Sequence, residues 1–250
     1  MPATSIDEVL SALTTIIDDA RAHTSRVGYF AALYRRVTQS VKDDIAGGRF
    51  QNGALMERLD STFANRYLDA VATFQAGRQP ARSWAVAFEA ASDPFPLILQ
   101  QLLVGISAHI NLDLGIATAE VAPGDQLPGI QTDFDRINGV LTALTGTVER
   151  EIGELSPAIH LLEELGLRTE TRIINFDVET ARGLAWNTAQ RLAVTPANQL
   201  TAAIELLDFK VAAFGQLLIH PPAPIALKLA PIRIPESNDV RRIIDVLAAQ

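Results

Sequence analysis

His109 and Asp113 stand four residues apart inside the most apolar part of the chain, Phe95–Val121. On an α-helix, residues at i and i+4 are neighbours, so the carboxylate can hold and orient the imidazole. Turning Phe95–Ala122 at 100° per residue places Ile98, Leu102, Gly105, Ile106 and Ile116 on one face. His109 lies at the middle of that face, with Asp113 close to it, whereas Gln100, Ser107, Asn111 and Thr118 fall opposite. The pair therefore points toward the core. A histidine–carboxylate pair in a low-dielectric pocket suits acid–base chemistry near neutral pH.

Other helices carry polar residues in similarly apolar company. Arg182 is central among Ala181, Ala185, Ala189 and Leu192, with Trp186 beside it, and Tyr34 is central among Phe30, Val37 and Val41. Asp60 edges the apolar face of Gly53–Gln75, and Asp133 and Asn138 flank the seam of Ile130–Leu155. A buried charge is costly unless paired, so these groups are expected to meet. His109, Asp113 and Arg182 form the expected heart of one cluster, with Tyr34 as a further catalytic candidate and Asp60, Asn138 and Trp186 around it.

In an enzyme acting on a small molecule (a hydrolase, lyase or cyclase), His109 would be the acid–base group. Asp113 would orient it, and Arg182 would hold an anionic or carbonyl group of the substrate. A metal-dependent variant would use His109 and Asp113 as ligands of Zn²⁺ or Fe²⁺, with a third ligand from Asp60 or Asp133. The remaining histidines, His23, His160 and His220, stand in loop-like or surface contexts. A third reading makes the domain non-catalytic, with the cluster specifying packing or binding a ligand only. The sequence leaves all three open.

The elements that must position these residues read as helices throughout. Apolar residues recur at threes and fours in Ile6–Ile17, Val27–Ala46, Gly53–Gln75, Ile130–Leu155, Val178–Ala193 and Pro196–Ile219. Ser5 and Glu8 form a capping box for the first of these. Gly47-Gly48, Gly77 and Pro123-Gly124 are stops. The prolines from Pro221 to Pro235 predict an extended segment over 220–236. Lys228–Ile234 is the one stretch compatible with a short strand. The expectation is an all-α single domain, residues 1–250, of about eight or nine helices around a central apolar helix at about 95–122, closed by a C-terminal helix.

Composition removes several classes. With 250 residues, 48% hydrophobic and 20% charged, the chain can bury a large core. A net charge of −8 and the lack of a basic stripe argue against nucleic acid as a partner. The chain has no cysteine, which excludes disulfides, thiolate nucleophiles and Cys-ligated metals. G-x-S-x-G, P-loop and G-x-G-x-x-G patterns are absent, so no nucleotide cofactor is expected. Asp113 near the middle of the apolar run makes it a core helix and not a membrane span. With no leader visible in MPATSIDEVL, the expectation is a cytoplasmic protein, for which a homodimer is compatible with the short apolar helices.

Several motifs resemble an uncharacterised bacterial family of all-helical proteins. They are F-x-x-x-Y-x-x-V-T (Phe30 to Thr38), M-E-x-L-D-x-x-F-A-x-R-Y (Met56 to Tyr67), W-x-x-A-F (Trp84 to Phe88) and G-I-x-A-H-I-N-x-D-L (Gly105 to Leu114). Asp133-Phe134 with Ile137-Asn138, and Ala181-Arg182 with Trp186, are similar too. The A-H-I-N-x-D-L element is the most specific, and the resemblance runs to about residue 193. It implies an all-helical fold and supplies no reaction.

Overall fold

The first helix, α1 (Ile6–His23), starts where the Ser5 side chain accepts from the Glu8 amide at 3.3 Å. Glu8 reaches back one residue further than a capping box requires, to the Thr4 amide at 2.6 Å. The helix ends on Thr24 in the left-handed region at φ 55. These positions come from a computed structural model of the chain, which describes residues 2–165 and 177–249. Then follow α2 (Val27–Ala46), α3 (Gly53–Gln75) and α4 (Arg82–Ser92). Gly48 and Gly77 stop α2 and α3 at φ 66 and 68, values that cost glycine nothing. Asn52 caps α3 by accepting from Leu55 N–H at 3.1 Å.

The central apolar helix is present but is not one regular α-helix. It comprises α5 (Ile98–Ser107), a π-helical stretch (Ala108–Leu114) and α6 (Gly115–Val121). This run is long and apolar enough to cross a membrane, yet 89% of its most apolar window is buried within the fold. It is a core helix, as its embedded polar residues require. Both of its faces are covered: Gln100, Ser107 and Thr118, on the side opposite His109, are as buried as the apolar face.

A 3₁₀ turn (Gly124–Ile130) leads to α7 (Gln131–Leu155), and the short α8 is Leu161–Glu164. The sequence between Pro157 and Asp177 lacks a regular apolar period, and part of it lies outside the described residues. Beyond it come α9 (Val178–Ala193), α10 (Ala197–Ile219), α11 (Ala223–Arg233) and α12 (Val240–Ala248). The reading of 220–236 as extended, and of Lys228–Ile234 as a strand, is corrected by α11. Pro224 sits in the first turn, where an amide has no partner in any case. Pro231 falls in the last turn, so it interrupts little helix.

No strand occurs among the described residues. The central helix packs on α9 through α6 and the π-helical stretch, while α10 covers α4 and α5, and α1 and α12 close over α2. Two close approaches depend on missing side chains. A Cβ on Gly105 would lie 3.0 Å from the Phe30 ring, and one on Gly115 would lie 2.8 Å from the Ala185 carbonyl oxygen. The buried apolar residues fall into two large groups. One lies around α1, α2, α4 and α5; the other lies around the π-helical stretch, α6, α7 and α9.

Candidate functional site

The site forms on the π-helical stretch. Such wide turns break the α-helical ladder and occur frequently at functional positions. Here the turn carries the A-H-I-N-x-D-L residues, Ala108 to Leu114. His109 is 3% exposed. Its ring stacks on Phe63 at 3.6 Å between centroids, with Tyr34 edge-on at 4.4 Å and Phe30 at 5.5 Å. Neither ring nitrogen has a hydrogen-bond partner. Burial among these rings pushes the imidazole below its usual range; nearby Asp113 opposes that shift, and Arg66 adds to it. His109 is thus a neutral base at pH 7.

Asp113 stands behind it, 1% exposed. Its Oδ2 is 3.5 Å from His109 Nδ1, beyond hydrogen-bond range. That oxygen accepts from Trp84 Nε1 at 2.8 Å, and Oδ1 accepts from Arg66 Nε at 2.9 Å. The expected Asp113–Arg182 pairing is therefore corrected: the cation on Asp113 is Arg66, from α3. The expected heart divides into two places: Arg66 and Trp84 reach Asp113 from α3 and α4, whereas Arg182 on α9 turns to Asn138 and Phe134 of α7. Arg66, Trp84 and Phe63 were missed as site residues, although all three stand in the motifs that carry the family resemblance. A single sequence cannot say which helices become neighbours, and no periodicity within α3 distinguishes Arg66 from a solvated arginine.

Arg182 is nonetheless 5% exposed. Its Nε donates to Asn138 Oδ1 at 2.6 Å, a second nitrogen donates to the Phe134 carbonyl, and the guanidinium lies 4.3 Å from the Phe134 ring. Burial pulls its pKa down to about 10. No carboxylate among the described residues pairs with it. Asn138 thus serves to hold Arg182, and Trp186 packs on Phe134 at 5.0 Å between ring centroids.

His109 and Arg182 are joined by a cavity of about 240 Å³ between α2, α3, the central helix, α7 and α9. Its walls are almost wholly apolar. The polar side chains that reach it are Tyr34, Asp60, His109, Thr145, Glu149 and Arg182. Asp60 is 9% exposed, its Oδ2 has no partner, and burial, with the Glu57 charge adding, pushes its pKa up to about 7. The Tyr34 hydroxyl is also buried without a partner, and burial raises its pKa. Tyr34, Asp60, His109 and Arg182 thus line one space, and Asp113, Asn138 and Trp186 support it from behind.

The donors do not suit a metal ion. No group of three His, Asp or Glu among the described residues is placed to share one. Both oxygens of Asp113 are already engaged. Asp133, a proposed third ligand, instead accepts from the Gln51 and Asn52 amides at 2.8 Å each and ties down the start of α3. His23, His160 and His220 are exposed.

A family model described as a family of unknown function (DUF5995) matches residues 6–221. No curated protein and no solved structure matches the chain.

Proposed function

The chain belongs to this family of unknown function, and from that premise we propose that it binds a small, mainly apolar molecule in the cavity and moves a proton on it. The carrying observation is that neither ring nitrogen of the cavity-lining, buried His109 is hydrogen-bonded, Nδ1 lying 3.5 Å from Asp113 Oδ2. A buried polar group without a partner costs free energy, and a ligand group placed there removes that cost. An apolar pocket with a few convergent polar groups is the usual form of a small-molecule site.

The two titrating groups are displaced in opposite senses. Burial keeps His109 neutral, and so a base. Burial brings Asp60 to about 7, so that it still holds a proton near neutrality. A base and an acid lining one cavity suit lyase or isomerase chemistry, in which one proton is taken and another delivered. Tyr34 would hydrogen-bond a substrate oxygen between them. Asp113, fixed by Arg66 and Trp84, would act on the imidazole as it gains charge, and apo geometry of such pairs is often longer than in the working complex. Asp113 is thus a positioning residue. Among the described residues, no serine lines the cavity.

The second reading, a ligand-binding protein without turnover, is favoured by one observation: Phe63 stacked on the imidazole at 3.6 Å covers one ring face. Carbethoxylation by diethyl pyrocarbonate, mapped by peptide mass, tests whether His109 is a reachable free base. The expected result is modification of His109 at pH 7, with protection by the neutral apolar probe N-phenyl-1-naphthylamine. An unreactive His109, while exposed His23, His160 and His220 react, overturns the proposal.

A further inference from the structure

The cavity has a direction. Its wall on α7 is the apolar seam Phe134, Ile137, Leu141, Leu144, Val148 and Ile152, which spans about 27 Å at 1.5 Å per residue. In a close-packed bundle such a seam would interdigitate with a facing helix. Here Leu141, Leu144 and Val148 remain only half-buried although they face inward. The residues lining the space run along the central helix from Leu99 to Leu114 and along α7 from Phe134 to Ile152, so it is elongated, as an alkyl chain is. Its volume of about 240 Å³ sets a floor on size. A dry cavity of about 150 Å³ admits one benzene ring, so this one takes about ten non-hydrogen atoms or more.

The two ends differ in charge. Arg182, Phe134 and Val178 form one end; Thr145, Val148 and Glu149 lie toward the other. Arg182 is buried and bonded only to neutral acceptors, the Asn138 side chain and the Phe134 carbonyl. No carboxylate among the described residues bonds to it; Asp135 acts on it only by Coulomb attraction, which burial outweighs. A buried cation of this kind favours an anionic group beside it. Arginine's planar fork matches a carboxylate.

We propose that the occupant is an aliphatic monocarboxylate of medium chain length, eight carbons or more, with its chain along the α7 seam and its carboxylate on Arg182. This rests on the cavity being a ligand site, as argued above. The chain then passes beneath Tyr34, Asp60 and His109, so proton transfer there requires an oxygen-bearing carbon on the chain, a hydroxyl or keto group, away from the carboxylate.

Titration calorimetry with octanoate, decanoate and dodecanoate, and with 1-decanol as the uncharged match of decanoate, tests the inference. Each added methylene buried should tighten binding by up to about fourfold. Decanoate should bind about ten- to hundredfold tighter than decanol, the range for hydrogen bonds to a charged group. Arg182→Gln should erase that preference while leaving decanol binding unchanged, and Arg182→Lys should retain part of it. The wild-type comparison stands even where Arg182→Gln folds poorly. If decanol binds as tightly as decanoate, the carboxylate assignment fails while the cavity remains a ligand site. If affinity is flat along the series, the chain assignment fails. If none of these binds, and the Leu144→Trp variant changes nothing in N-phenyl-1-naphthylamine binding, the ligand-site reading falls as well.

Discussion

At the scale of the residue, the cavity holds two buried groups whose titrations oppose each other. Asp60 binds its proton more tightly in the folded protein, at about 7, than in an unfolded chain near 3.9. Its stabilising contribution is full below the unfolded value and is lost as pH rises through about 7. His109 runs the other way: its folded pKa lies below the usual 6.5. Its contribution is full above 6.5 and is lost as pH falls toward the folded value. Asp60→Asn should therefore gain stability relative to wild type by roughly 2–3 kcal/mol between pH 5 and pH 8. Urea unfolding at the two pH values reads this directly, and an equal offset at both would assign the change to packing. Asp113 is a different case, because removing it strands two partners at once. Asp113→Ala should cost about 3–5 kcal/mol by leaving the Arg66 guanidinium and the Trp84 N–H unmatched, measured in the same denaturant experiment.

At the scale of the element, the π-helical stretch and the glycines at or near its borders set the geometry. Gly105 lets the Phe30 ring lie against α5, and Gly115 lets α9 approach α6. A methyl on Gly115 meets the Ala185 backbone oxygen and Thr188 at once, and backbone cannot yield as a flexible side chain does. Gly115→Ala should destabilise the protein by about 1–3 kcal/mol. Because α9 carries Arg182, the same change should widen the cavity at that end. Thermal melting gives the stability loss, and weaker decanoate binding with unchanged decanol binding would report the movement of Arg182. Helix α11 shows the opposite lesson about local chemistry. Its prolines sit in the first turn, where an amide has no helical partner, and in the last, where one amide hydrogen bond is lost.

At the scale of the whole molecule, one side of the bundle is densely filled and the other is not. The rings of Phe30, Tyr67, Trp84 and Phe88 interlock within about 6 Å of one another. The α7 side keeps its cavity, which forgoes packing that the fold could otherwise have. Filling it should therefore stabilise. Leu144→Trp is expected to add about 0.5–2 kcal/mol, a rise in Tm of about 2–4 °C per kcal/mol for a chain of this size, while excluding N-phenyl-1-naphthylamine. A scanning calorimeter and a fluorescence titration check the two halves. Loss of stability together with retained probe binding would mean that the cavity lies elsewhere than on the α7 seam.

Much of this architecture is written in local patterns. Periodicity and caps give α3 and α9 to the residue, and the polar residues inside Phe95–Val121 mark it as a core helix. The burial of His109, Asp113, Arg182 and Tyr34 follows from their positions on apolar faces, which the core takes up. What sequence could not settle was partnership. Which cation meets Asp113 depends on how α3, α4 and α9 pack around the central helix, and that packing is decided by close approaches such as Gly115 on Ala185 and Gly105 on Phe30. The π-helical turn is likewise a compromise reached among neighbours, because no residue from Ala108 to Leu114 demands it. The cavity is the clearest case. An apolar seam reads the same whether it faces another helix or an empty groove, and only the assembled bundle leaves the space in which His109, Asp60 and Arg182 meet.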